Sequence, residues 1–199
     1  YFYGYKFNGI DKQTGDPTFV DVNNDGMITE ADRTYIGSGL PKFTYGATIT
    51  AAWKGLDLVV FGTGSQGNKI FCCLNRPDFA LNKLTIFTED RWTVNNPNGT
   101  QPRAGAADGD KWMRSDAVVF NGSYFKIKQI QLGYTLPRNI MKKIFVENLR
   151  IYCSLDDFVT FTGYKGFDPE VTGTGSSLGV DKGSYPNSKK FVMGLNLTF

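Results

Sequence analysis

At 199 residues, with a net charge of +3 and no clustered Lys/Arg run, the chain carries no electrostatic footprint for nucleic acid. It contains no histidine, which removes His-dependent triads, His–metal sites and the commonest general base. Its 16 Phe, 10 Tyr and 23 Gly suit many short strands and turns, and no run approaches the roughly 18 apolar residues of a membrane-spanning helix.

The chain opens without an initiator Met, directly in a strand-like YFYGYKF over 1–9, so a processed protein or a piece of a longer one is expected. A long connection, 10–42, contains DVNNDGMITEAD from Asp21 to Asp32. Asp21, Asn23 and Asp25 place side-chain oxygens at loop positions 1, 3 and 5, and Gly26 supplies the tight turn at position 6. Met27 offers its carbonyl at position 7, Thr29 a direct or water-borne contact at position 9, and Asp32 a carboxylate at position 12. A hard calcium ion takes this oxygen set, here with Asp for the usual Glu at the last position, as in dockerin-like loops. The expected role is to staple an exposed loop. The alternative is an Asx-rich turn with no metal.

Strand 43–53 alternates cleanly: Phe43, Tyr45, Ala47, Ile49, Ala51 and Trp53 face one way, Thr44, Gly46, Thr48 and Thr50 the other. Lys54 and Gly55 then form a two-residue hairpin turn into strand 56–65. Cys72 and Cys73, in the long 66–122 connection, lack the His or second Cys pair of a metal site, and three cysteines make no disulfide framework. Strand 123–136 changes phase: Phe125 and Ile127 share one face, whereas Ile130, Leu132, Tyr134 and Leu136 fall on the opposite one. A β-bulge near Lys128 is the expected cause; the alternative puts Lys126 and Lys128 beyond a membrane.

PRNIMKKIF reads as a short helical turn opened by Pro137, with Ile140, Met141, Ile144 and Phe145 on one stripe. In strand 148–157, Leu149, Ile151, Cys153 and Leu155 oppose Arg150, Tyr152 and Ser154. The closing strand, 189–199, puts Phe191, Met193, Leu195, Leu197 and Phe199 on one face, against Gly194, Asn196 and Thr198 with Val192 as the apolar exception. Glu89/Asp90 and Asp156/Asp157 are sequence neighbours, which on a strand point to opposite faces, so neither reads as a catalytic pair. The triplets at Asn98, Asn121 and Asn196 match a glycosylation pattern by chance. Catalysis is not expected.

The connections run long (10–42), short (54–55), long (66–122), short (137–147), long (158–188). Short turns on the periplasmic side and long loops outside are the asymmetry of an antiparallel, all-β transmembrane barrel. Counting back from Phe199, each long segment comes out extracellular. Aromatics at strand ends (Phe43, Tyr45 and Trp53, then Phe191 and Phe199) fit two interfacial girdles, with outer-membrane lipid between them.

With the calcium loop, IGSGLPKFTYG, DLVVFGTGSQGNKIF, RWT, NGSYFKIKQIQLGYTLP, LRIYCS, GYKGFDPEV, GSYP and KKFVMGLNLTF in order, the chain resembles, along residues 1–199, the carboxyl-terminal portion of a SusC/RagA-type TonB-linked outer-membrane transporter. The resemblance implies a 22-stranded barrel in the cell outer membrane, an amino-terminal plug, and a SusD-like surface lipoprotein over the extracellular loops. It also implies TonB-driven import of oligosaccharides or peptides, and a closing strand (Phe191, Met193, Leu195, Leu197, Phe199) read by the barrel assembly machinery. The plug, the TonB-contacting segment and most strands are not in these residues. SLDD at Asp156 and Asp157 and Asn121 for the usual Asp of DGSY are local departures, and the Cys72–Cys73 pair is not part of the pattern.

On this reading Asp57, Arg150 and Tyr152 face the lumen, where they either touch substrate or build the wall. Trp92, Trp112, Tyr164 and Tyr185 either stack on sugars or pack the loops. The reading from another class is a secreted, calcium-stabilised β-sandwich that binds glycans; it requires both hydrophobic faces to be buried.

Overall fold

The computed structural model describes residues 1–74, 84–141, 146–171, 173 and 175–199. In chain order its strands are β1 (Phe2–Gly4), β2 (Phe7–Ile10), β3 (Pro17–Phe19), β4 (Thr34–Gly37), β5 (Phe43–Trp53), β6 (Leu56–Gln66) and β7 (Lys69–Cys72). There follow β8 (Val119–Asn121), β9 (Tyr124–Thr135), β10 (Asn148–Thr162), β11 (Val180–Asp181) and β12 (Lys190–Thr198). The α-helices are short, α1 (Gly109–Met113) and α2 (Arg138–Met141). The chain divides into a sheet unit (Phe43–Ser65, Tyr124–Thr162, Asn187–Phe199) and a loop unit (Tyr1–Lys42, Gln66–Ser123, Gly163–Pro186).

The sheet unit is an up-and-down meander in the order β12-β10-β9-β6-β5. Because directly opposed residues share a face, the register sorts side chains into rows. Leu195, Ile151, Tyr134 and Leu56 make one row; Met193, Cys153, Leu132 and Leu58 the next; Phe191, Leu155, Ile130 and Val60 a third. The opposite face carries Asn196, Arg150 and Thr135, then Gly194, Tyr152, Gly133 and Asp57, then Lys190, Asp156, Gln129 and Phe61. One face is therefore continuous hydrocarbon and the other largely polar. Nothing described covers the first: Phe43, Ile49 and Leu195 are 60%, 64% and 58% exposed. A water-soluble sandwich buries those residues, so the alternative reading lacks its second layer.

The long connections from β6 to β9 and from β10 to β12 leave and re-enter the sheet at the same strand ends, as the alternation of lengths predicts, and the 10–42 segment enters β5 at that end without having left the sheet. At the other end, Lys54 (φ 47°) and Gly55 (φ 89°) both take positive φ, the backbone of a tight hairpin matched to strand twist. The α2 turn begins just after Pro137 and buries Met141, but Ile140 is exposed; Ile144 and Phe145 of the expected stripe lie outside the described residues.

The phase change in β9 is a bulge. On β6, Phe61 pairs with Gln129 and Gly62 with Ile127, so Lys128 is the extra residue. On β10, Asp156 pairs with Gln129 and Val159 with Ile127, so a second bulge holds Asp157 and Phe158 opposite Lys128. Asp157 sits at φ 57°, and Lys128 Nζ meets its Oδ1 at 3.2 Å. This second bulge carries β10 on to Thr162, beyond the predicted end at 157, because it resets the alternation on which that end rested. It also removes Asp157 from the simple alternation expected of the Asp156/Asp157 pair.

Above the bulges Phe43, Tyr45, Phe125 and Phe161 stack in series, with centroids 5.4, 5.9 and 6.3 Å apart. The rings lie in a groove made by missing side chains: a Cβ on Gly64 would come within 2.3 Å of the Tyr45 ring, and one on Gly62 within 2.6 Å of Phe125. The girdle expected from Phe43 and Tyr45 thus extends across to β10.

The loop unit has the buried core. Tyr5, Phe19, Cys72, Leu74, Phe87, Trp112 and Val118 cluster there. The single strand expected over 1–9 splits into β1 and β2 within this unit. Tyr5 turns inward, its N–H donating to Arg114 O and its carbonyl accepting from Asp116 N, which interrupts the run. The 66–122 connection is likewise built: β7 pairs antiparallel with β8 and parallel with β11.

Candidate functional site

The polar face of the sheet has one strongly organised locus. Arg150 Nε donates to Asp57 Oδ1 at 2.9 Å, and its Nη2 donates to Oδ2, a two-pronged ion pair. These residues are on β10 and β6, with β9 between them. The span works because the intervening position is Gly133, where a Cβ would lie 2.5 Å from Arg150 Nη2 and 2.6 Å from Asp57 Oδ1. The guanidinium also stands 5.1 Å from the centre of the Tyr152 ring. Tyr152 in turn lies across its partner Gly194, where a Cβ would fall 2.3 Å from the ring. Of the predicted lumen residues, the structure brings Asp57, Arg150 and Tyr152 together as a clasp over three strands. The glycines that make room for it, Gly133 and Gly194, were not singled out in the sequence; their only signal is Gly on the polar face of a strand.

In the loop unit the 21–32 segment is closed by its own carboxylates. Asp21 accepts from Asn24 N (2.7 Å) and Gly26 N (2.8 Å), and Asp25 Oδ1 accepts from Met27 N (2.8 Å). Asn23 Nδ2 donates to Asp25 Oδ2, and Asn23 Oδ1 accepts from Asp25 N. Asp32 is fully buried and accepts from Val22 N (2.9 Å) and Thr29 N (2.7 Å). Gly26 takes φ 83°, as the turn at position 6 requires. Asp21 and Asp32 come within hydrogen-bonding reach of each other, whereas no group of three or more acidic, Cys or His side chains converges tightly among the described residues.

Several loop carboxylates sit below the usual carboxylate range. Asp32 is held down first by the Thr29 N–H, Asp16 first by the Ala107 N–H and then by Arg103, Glu30 first by Arg33, and Asp90 first by the Thr100 hydroxyl. Groups with a depressed folded pKa contribute stability that is present above the unfolded value, about 4, and is lost as pH falls through the folded one. The near-ultraviolet circular dichroism of the loop unit is therefore expected to hold from pH 7 to 5 and to decay only below about pH 4. Loss between pH 7 and 5 would contradict this anchoring.

The Cys72–Cys73 pair joins no group of three or more metal-ligating side chains among the described residues. Cys72 is buried, and burial raises its thiol pKa, the opposite of the shift that activates a thiolate. Tyr164 donates to Asp181 Oδ2 beside it, and burial raises its phenol pKa as well. Of the loop aromatics, Tyr164 and Trp112 are buried, and Trp92 packs over Gly15 while its Nε1 donates to Lys12 O at 3.0 Å. These serve packing; Tyr185 alone of the four is fully open, at 88% exposure.

No family model matches the chain. It is 32% identical over its whole length to TonB-dependent receptor P3 of Formosa agariphila, and 27% identical over 98% of its length to TonB-dependent receptor SusC of Bacteroides thetaiotaomicron. Among solved structures, the RagAB peptide transporter matches the whole chain with a TM-score of 0.82 at 28% identity. Along its whole length the chain is similar to TonB-dependent receptors of the SusC/RagA type. It spans only about a fifth of its relatives: 22% of P3, 19% of SusC and 23% of the RagAB chain. In SusC/RagA terms the sheet unit is antiparallel barrel wall. Among the described residues no helix is long and apolar enough to cross a membrane, which does not bear on strands. Phe191, Met193, Leu195 and Leu197 are exposed on the hydrocarbon face of that wall, and Phe199 is 83% exposed beyond it.

Proposed function

We propose that the protein is part of an outer-membrane active importer of oligosaccharides or peptides, driven by TonB and working with a SusD-like lipoprotein. The observation that carries this reading is the two-sided sheet, apolar on one face and polar on the other, with every long connection at one end. Relatives are receptors and a peptide transporter, and nothing in the described residues assembles a nucleophile with a base. The Asp57–Arg150–Tyr152 clasp braces the lumen wall. The tagged full-length protein is expected in the outer-membrane fraction, co-purifying with a surface lipoprotein, and solute accumulation is expected to stop when TonB is deleted. Recovery in the soluble fraction would overturn this reading.

The 21–32 segment is the second part of the proposal, as a structural calcium loop. Its oxygen set fits a hard cation, and the approach of the Asp21 and Asp32 carboxylates favours a positive charge between them. Asp21, Asn23, Asp25 and Asp32 would hold the ion through side chains and Met27 through its carbonyl. At a hundredfold excess over Kd, calcium would add about 2.7 kcal/mol. Melting of the loop unit should then fall on adding EGTA and recover with calcium but not magnesium, and Asp21→Ala should abolish the response. Identical melting with and without EGTA would leave the loop as an Asx-rich turn.

A further inference from the structure

The loop unit encloses a cavity of about 320 Å³ that none of the roles above uses. Its floor is Phe87 and Trp112, and its walls include Arg91, Arg103 and the 102–106 turn. The floor is rigid, because Phe87 and Trp112 belong to the core cluster and meet edge to face, 5.7 Å apart at 86°. One side stays open: a Cβ at Gly105 or Gly109 would meet nothing within 4 Å.

The charge on this wall is unbalanced. Among the described residues no carboxylate lines the cavity. Arg103 is already neutralised, its Nε 3.0 Å from Asp16 Oδ1. Arg91 has no ion pair among the described residues; its Nη2 reaches Phe87 O at 3.5 Å, and its Nε is buried away from water, so a solute would meet the outer nitrogens of the guanidinium. The orphan acceptor nearby, Gln101 Oε1, does not line the cavity. Half-buried guanidinium groups are ordinarily paired, and buried donors ordinarily satisfied. Among the described residues, Arg91 is the cation on this wall without a counter-charge.

We propose that the cavity binds a carboxylate-bearing solute, with the carboxylate on Arg91 and the apolar body on Phe87 and Trp112. Planar carboxylate matches the planar guanidinium fork, which delivers two parallel hydrogen bonds. The volume is at the low end of ligand pockets, about 300–1,000 Å³, so it suits one residue or one sugar ring and not an oligomer. The carboxylate could come from a peptide end or from an acidic sugar; the chemistry at Arg91 is the same. The inference goes beyond import, since the cavity lies within the loop unit and equilibrium binding tests it without transport.

The test titrates the full-length protein in detergent by calorimetry with N-acetylalanine against N-acetylalaninamide, and with glucuronate against glucose. At least one acid is expected to bind tenfold or more tightly than its neutral counterpart, and the winning pair identifies the source. Arg91→Gln should erase the preference, and Arg91→Lys, which keeps the charge but loses the fork, should retain only part of it. Arg91 lies outside the core cluster, so unchanged near-ultraviolet dichroism will show that both variants fold. Equal binding of acid and neutral probes, no binding up to about 10 mM, or unaltered binding in Arg91→Gln would each overturn the proposal.

Discussion

Leu132→Arg is expected to destabilise the assembled protein by about 2–4 kcal/mol, and Gln131→Arg, one residue away, by close to nothing. The two positions are neighbours on β9 but face opposite ways. Leu132 is 47% exposed in the middle of the apolar rows, between Cys153 and Leu58, whereas Gln131 lies on the polar face between Ser154 and Val59. An arginine at Leu132 must hold a guanidinium in hydrocarbon near the midplane, too far from either girdle for full snorkelling. At Gln131 the same side chain enters the water-lined interior. Urea titration of the refolded full-length protein in lipid, read by heat-modifiable gel mobility, gives the difference. Equal costs, or a larger cost at Gln131, would mean that the apolar face does not meet lipid.

Gly133→Ala is expected to cost about 1–2 kcal/mol, although it adds only a methyl group. The backbone at Gly133 is ordinary, so the penalty is not conformational. The new Cβ occupies the gap through which Arg150 reaches Asp57, and both ends of the ion pair are only 21% and 30% exposed in their side chains. Forcing them apart leaves partly desolvated charges without partners. Gly163→Ala, where a Cβ meets nothing within 4 Å, is the control and should be neutral. The decisive arm is a double-mutant cycle: in an Asp57→Ala/Arg150→Ala background the cost of Gly133→Ala should largely vanish. An unchanged cost there would show that the clasp is not what Gly133 protects.

Much of the wall was legible because lipid imposes a period of two on every strand that crosses it. The limits of β5 fall where the alternation of Phe43 through Trp53 ends, and the phase slip at Lys128 marks the bulge in β9. The same logic failed at Asp157, because a bulge on β10 cancels the period that would have marked the strand's continuation. It failed again at residues 1–9, where the alternation is real but Tyr5 is drawn into a core made by residues far along the chain. The loop aromatics were ambiguous for a related reason: a ring's type does not say whether other side chains cover it, and Trp112 and Tyr164 are covered while Tyr185 is not.

Local pattern was enough for the face each wall residue presents, the end at which the long connections gather and the oxygen-rich character of 21–32, since each depends on spacing within one segment. The cross-strand reach of Arg150 to Asp57 through Gly133, the girdle seated on Gly62 and Gly64, and Arg91, without an ion pair among the described residues, beside Phe87 and Trp112 came only with the assembled chain. These features join residues tens of positions apart, and whether a charge finds a partner or a glycine makes room for a ring is a matter of register and packing that no single segment encodes.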